Sequence, residues 1–180
     1  MSEAIQTITL AGGCFWCVEA VFEQVRGVRG VQSGYSNGEA IAPTYEDVCT
    51  GNTGHAEVVR VQFDPSRIAL ADLLKIFFAT HDPTTRNRQG ADVGTQYRSG
   101  IYWSDESHQE VIARVLAEAN AELGGRVVTE VAPLANYSAA EAYHQHYFAN
   151  NPGEGYCAAV IGPKIDKFRK VFRGSLATAG

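Results

Sequence analysis

Cys14 stands in the run Gly12-Gly13-Cys14-Phe15-Trp16-Cys17, a thiol between a glycine pair and two large aromatics. An alternating apolar stretch ends there and a helical pattern begins. A residue at a helix start faces amide N–H groups that lack intrahelical acceptors, and it feels the positive end of the helix dipole. A thiol in that setting is driven toward thiolate, the form that reacts. Phe15 and Trp16 add an apolar wall, so the segment predicts a reactive sulfur beside a pocket for something small and greasy. The bland alternative is an inert buried thiol between two core aromatics, since cysteine is among the most buried residue types.

Cys17 makes the segment a C-x-x-C pair, which fits a redox couple, half of a zinc site, or a catalytic Cys14 with Cys17 merely nearby. Zinc needs about four ligands. Cys49, His55 and Cys157 are scattered singly, which disfavours a metal. The bulky Phe-Trp between the cysteines speaks for a substrate pocket rather than a thioredoxin-like couple.

Several polar groups could serve such a pocket. Glu57 opens a strong strand beside the glycine-rich stretch 51–54. Buried against Phe15 and Trp16 its pKa would rise, which suits a proton donor. Spacing alone favours a solvated glutamate at a strand edge. Asp92 and Tyr97 lie in an irregular polar stretch, and Tyr45 and Tyr156 are further phenols outside the regular pattern. Phenols donate hydrogen bonds without needing charge. His144 and His146 read as structural residues on a helix, and the basic piece from Lys164 to Arg173 as a solvated face.

The elements that must position these groups follow from periodicity. Residues 5–10 alternate as a strand, and Val18, Val21, Phe22 and Val25 form a helical stripe stopped by Gly27. Strands are expected at 28–35, 56–63, 100–103 and 127–132. A helix is expected over 70–80, and another from a Ser104 or Asp105 cap to Leu123 before Gly124-Gly125. Ser138-x-x-Glu141 reads as a capping box opening a helix to about Asn150. Two long polar stretches, 36–55 and 81–99, read as functional loops. Strands alternating with helices predict an α+β fold, a central mixed sheet covered by helices with an irregular C-terminal tail.

At 180 residues the chain fits one domain, long enough to bury about 70% of its unfolded surface without disulfides or a metal. The expected organisation is a single catalytic domain over 1–180, with 151–180 as a mobile tail carrying Cys157. Fifteen basic against twenty acidic residues give a net charge of −5, a field that repels polyanions and makes nucleic acid an unlikely partner. No stretch approaches the ~20 apolar residues of a membrane span. The default expectation is a soluble cytoplasmic monomer, a compartment in which cysteines seldom serve as structural staples.

Taken together, Gly-Cys-Phe-Trp at 13–16, Pro-Thr-Tyr at 43–45, Gly-His-Ala-Glu at 54–57, His-Asp-Pro at 81–83, Asp-x-Gly-Thr-Gln-Tyr-Arg-Ser at 92–99 and Tyr-Cys at 156–157 resemble the A-type peptide methionine sulfoxide reductases. The resemblance runs over nearly the whole chain. It implies that Cys14 attacks the sulfur of methionine-S-sulfoxide, free or in proteins, while Glu57 protonates the oxygen. By the same resemblance Tyr45 and Tyr97 hydrogen-bond that oxygen, Asp92 is a supporting polar residue of the same pocket, and Phe15 and Trp16, with Tyr156 alongside, hold the substrate. Cys14 is left as sulfenic acid, which a second thiol resolves to a disulfide for reduction by thioredoxin. Cys157, from the Tyr-Cys motif, is the preferred resolving residue and Cys17 the alternative, since many members carry glycine at that position. Cys49 is expected to pack, and no cofactor is implied. Two other classes remain open on residues alone: a general thiol–disulfide exchanger using Cys14 and Cys17, and a zinc-stabilised binding module.

Overall fold

The computed structural model describes residues 4–175. Residues 176–180, the last five of the expected tail, lie outside the described residues, as do 1–3. In chain order β1 (Gln6–Gly12) leads into α1 (Phe15–Phe22), β2 (Val28–Ser36), α2 (Tyr45–Cys49), β3 (Ala56–Phe63) and α3 (Leu70–Thr80). A two-stranded ribbon, β4 (Arg88–Gln89) and β5 (Asp92–Val93), precedes β6 (Ser99–Trp103) and α4 (Gln109–Glu122). The chain closes with β7 (Glu130–Pro133), β8 (Ser138–Ala139), α5 (Tyr147–Asn150), a π-helical turn (Cys157–Ile161) and α6 (Gly162–Val171).

Six strands form one sheet in the order β7-β6-β1-β3-β2-β8, all pairs antiparallel except β6 with β7. The sheet is therefore mixed and the architecture α+β, as the alternation of elements predicts. Strand β3 lies between β1 and β2, and its parity divides the core. Val59, Val61 and Phe63 join Ile8 and Leu10 beneath the helices, whereas Ala56 and Val58 turn to the other face with Ala11 and Tyr102. Side chains alternate faces with period two, so Glu57 falls on the helix-covered side.

Helix α1 lies on β2 and β3 and buries seven of its eight residues, Trp16 being the exception. Each fully buried Val or Phe in it contributes about 1.5–3 kcal/mol. Helix α3 buries Leu70, Leu73, Leu74, Ile76 and Phe77 and packs against α4, which buries Ile112, Val115 and Ala119. The Asp105 carboxylate caps a 3-10 turn ahead of α4, and Gly124 and Gly125 follow it with positive φ.

Four expectations are corrected. The polar stretch 36–55 contains α2, nucleated by a Thr44 capping box with Asp47 at its third position. The strand expected over 127–132 forms at Glu130–Pro133, because Asn120 Oδ1 and the Pro83 carbonyl take the amides of Val127 and Val128. The helix expected from Ser138 to Asn150 is absent: Ser138 and Ala139 pair with β2, a 3-10 turn covers Ala142–His144, and only Tyr147–Asn150 is α-helical. Glu141 closes no capping box, since its carboxylate accepts instead from the Tyr35 hydroxyl and the Tyr45 amide, both at about 3 Å (2.9 and 3.0 Å). The tail is not irregular either, because Ile161, Ile165 and Phe168 supply an apolar stripe that folds Cys157–Val171 as helix against α1.

Candidate functional site

Strand β1 delivers the chain to Cys14 through Gly13, whose φ of +94° and position against Gln89 leave no room for a side chain. Cys14 is the N-cap of α1, its carbonyl accepting the amides of Cys17 and Val18. The next amide, that of Phe15, donates to Glu57 Oε1 at 3.1 Å. Helix start and β3 are thus tied together at the point where the thiol sits.

Glu57 is 1% exposed, not the solvated strand-edge residue its spacing favours, because β3 is an interior strand and Glu57 faces α1. Its Oε2 has no hydrogen-bond partner among the described residues. Burial raises its pKa to about 8, outweighing the Phe15 amide that favours the anion, so the carboxyl is protonated at neutral pH. The group is an acid with a free oxygen.

Tyr45, at the start of α2, and Tyr97, ending the 3-10 turn Thr95–Tyr97, are half-buried. Burial, and then the carboxyl of Glu57, push both phenols well above their ordinary value, so they stay protonated donors. Asp92, on β5, accepts the Tyr156 hydroxyl at 2.9 Å, and that oxygen lies 3.8 Å from Cys17 Sγ. Phe15 is fully buried against Tyr35 and Tyr45. Trp16 stacks on Tyr147 with ring centroids 3.9 Å apart and planes at 10°, and meets Tyr156 edge-on. Cys14, Phe15, Trp16, Cys17, Tyr45, Glu57, Asp92, Tyr97 and Tyr156 therefore gather at the sheet end where α1 begins, and Cys157 lies on the π-helical turn packed against α1.

The thiols differ from the sequence expectation. Cys14 is held well above the ordinary thiol range by its hydrogen bond to Cys17, by burial and by the nearby Glu57. Cys17 is lowered to about 7, chiefly by that same bond from Cys14, with help from Lys164 and Tyr156. Their interaction with each other therefore raises Cys14 and lowers Cys17, and burial raises Cys14 further, so the helix-start position does not by itself favour a Cys14 thiolate. Cys17, the alternative resolving residue, lies in the first turn of α1 with its amide bonded to the Cys14 carbonyl. Cys157 is fully buried, its pKa raised to about 11 by burial and by Glu154. Cys49 is exposed at the end of α2, and its neighbour Val48 is the residue that packs.

Two residues of the site were missed. Glu141 holds α2 by the Tyr45 amide, and its capping-box pattern pointed elsewhere. His144 Nδ1 accepts the Trp16 indole N–H at 3.0 Å, a contact across 128 residues that no local pattern announces. One cluster of three metal-capable side chains occurs among the described residues, Glu19, Glu23 and His146, and it includes no cysteine. No helix among the described residues is long and apolar enough to cross a membrane.

A profile of the family described as peptide methionine sulfoxide reductase matches residues 6–176. The peptide methionine sulfoxide reductase MsrA of Psychrobacter sp. (strain PRwf-1) is 53% identical over 175 residues, 96% of this chain and 99% of that protein. Among solved structures, reduced Mxr1 from Saccharomyces cerevisiae superposes with a TM-score of 0.79 at 35% identity, covering 87% of this chain and 95% of that one. Mxr1 in complex with Trx2 also matches, with a TM-score of 0.56 at 27% identity, covering 79% and 84%. The family profile, the 53% identical relative and the fold shared with reduced Mxr1 agree, and the chain belongs to the MsrA family of peptide methionine sulfoxide reductases, oxidoreductases that return methionine sulfoxide to methionine.

Proposed function

We propose that the chain reduces methionine-S-sulfoxide, free or in proteins, through a Cys14 sulfenic acid, as a monomeric cytoplasmic enzyme of one catalytic domain. The observation that carries this reading is Glu57: a carboxyl kept protonated by burial, bound to the first helical amide, with one oxygen unclaimed. Phe15 and Trp16 hold the substrate methyl group, Tyr45 and Tyr97 donate to its oxygen, and Asp92 supports the pocket through the Tyr156 hydroxyl. Fixed neutral donors of this kind stabilise charge developing on oxygen without reorganising.

The steps balance as follows. Cys14 passes its proton to the Cys17 thiolate and attacks the sulfoxide sulfur. Glu57 gives its proton to the oxygen, the hydroxyl passes from the substrate sulfur to the Cys14 sulfur as the transient bond between the two sulfurs breaks, and methionine leaves with Cys14 as S–OH. Cys17 then displaces the hydroxyl, forming a Cys14–Cys17 disulfide and water. Its place in the same helical turn as Cys14 and its pKa lowered to about 7 support it as the first resolving thiol. Cys157 lies close enough to Cys17 to feel its charge and is suited to accept the disulfide next. Exchange with a thioredoxin restores the thiols, a partner supported by the likeness to Mxr1 bound to Trx2.

The test is a reaction of reduced enzyme with excess methionine-S-sulfoxide and no reductant, counting methionine and mapping disulfides. Two methionines appear per enzyme, the first leaving a Cys17–Cys157 disulfide and the second a Cys14 sulfenic acid, and the R epimer gives none. Equal turnover of both epimers, or turnover that survives Glu57→Ala while Cys17→Ser abolishes it, would identify a general thiol–disulfide exchanger instead. A Cys14–Cys157 disulfide in the first turnover would make Cys157 the first resolving thiol.

A further inference from the structure

We infer that His144 is a positioning residue for the substrate pocket: its Nδ1 accepts the Trp16 indole N–H and so sets which edge of Trp16 faces the reacting sulfur. The inference rests on the reading of Trp16 as a substrate-contacting residue and adds what orients it.

The indole N–H can only donate. A 3.0 Å contact to Nδ1 therefore leaves the lone pair on Nδ1 and the proton on Nε2. That Nε2–H is enclosed and has no partner among the described residues. The imidazole is 1% exposed, its centroid 5.2 Å from the ring of Phe15, 4.3 Å from Tyr45 and 4.1 Å from Tyr143. A phenyl ring would fill the same space without stranding a buried donor, which is costly to leave unpaired. The unmade bond at Nε2 is tolerated for the acceptor at Nδ1. The other supports of Trp16 are aromatic: Tyr147 stacks on its face and Tyr156 meets it at 70°. Stacking restricts the plane of an indole, whereas the hydrogen bond alone distinguishes one in-plane orientation from the flipped one.

The same geometry makes the pocket sensitive to acid. Burial holds His144 below its ordinary pKa, and Glu141 partly opposes this. The titratable groups facing it are Glu141 on its own turn, Tyr143 beside it and Tyr45 from α2, whereas Phe15 and Trp16 from α1 bring no charge. A protonated imidazole carries hydrogen on both nitrogens, so Nδ1 would turn from acceptor to donor against the indole N–H. Trp16 loses its anchor as pH falls.

The test compares reduced wild type with His144→Phe, His144→Asn and Trp16→Phe, each shown to be folded by thermal denaturation, using methionine-S-sulfoxide and the 15N-indole NMR signal of Trp16. Asn offers an amide oxygen near the position of Nδ1. His144→Phe is expected to raise KM about fivefold with kcat within about twofold, the loss of one hydrogen bond. The Trp16 indole signal moves to the field of an unbonded N–H in that variant, while His144→Asn keeps both signal and KM near wild type. As pH is lowered toward 5, the wild-type signal shifts and KM rises; His144→Asn stays flat. A folded His144→Phe with unchanged KM and signal overturns the inference, and so do Phe and Asn variants impaired alike. If His144→Phe does not fold, the wild-type and His144→Asn pH profiles decide. An unchanged KM in Trp16→Phe would instead bring down the pocket reading and the proposal with it, and the indole signal separates the two failures.

Discussion

Burial and mutual interaction give a carboxyl and a thiol pair unusual proton affinities in this site. Glu57 keeps a proton that an exposed glutamate would lose, while the helix-capping Cys14 is raised and its neighbour Cys17 lowered. Glu57→Ala is expected to lower kcat with methionine-S-sulfoxide by about 100-fold or more, the usual scale of a lost general acid. In the wild type the steady-state rate should fall as pH rises through about 8, where Glu57 ionises, and that limb should be missing in the alanine variant. A rate independent of pH between 7 and 9 would remove Glu57 from the role of acid. The identity of both groups was legible from the sequence. Their charge states were not, because desolvation depends on what covers a residue and the covering helix lies some forty positions away.

At the scale of elements, the site hangs on a strand-to-helix junction and on one short helix. Gly13 occupies a left-handed conformation against Gln89, where an ideal Cβ would lie 2.6 Å from Gln89 Cγ. Gly13→Ala is therefore expected to destabilise the fold by roughly 1–3 kcal/mol and to displace Cys14. Urea denaturation reads the first effect and the alkylation rate of Cys14 the second. Glu141 ties α2 to β2 through the Tyr45 amide and the Tyr35 hydroxyl. Glu141→Ala should cost about 1–3 kcal/mol by urea denaturation, since the buried Tyr35 loses its acceptor. A variant as stable as the wild type would show that water replaces the carboxylate. The strands and long helices were readable from period and caps, as in α3 and α4. The Ser138–Asn150 segment was not, because a capping-box pattern competes there with an open edge of β2, and sheet pairing prevails.

For the whole molecule, the proton on Glu57 links folding to pH. Its folded pKa, about 8, lies above the unfolded value near 4.5, so the folded state binds the proton more tightly. The stabilisation is complete below about pH 4.5 and is lost as pH rises through 8. Between pH 5 and 9 the wild type should lose roughly 3–5 kcal/mol relative to Glu57→Gln, which has no carboxyl to ionise. Urea midpoints of the two proteins across that range measure it, and parallel curves would show that Glu57 is not buried as described. His81 acts in the opposite sense. Buried and bonded to Ser99 and the Phe77 carbonyl, it is lowered to about 4, so its share of stability is present above about pH 6.5 and lost as pH falls through 4.

By itself the sequence determined the α+β class, the thiol at a helix start and the identity of the polar and aromatic residues that gather beside it. Those properties reside in local periodicity, caps and short motifs, which act over a few residues. Only the tertiary structure decided that Glu57 is buried and protonated, that Cys14 is raised while Cys17 is lowered, and that His144 accepts the Trp16 indole N–H. Each of those depends on removing water from a group by bringing together segments up to 128 residues apart, and the energy of an ionisable side chain is set by that enclosure rather than by its neighbours in the chain.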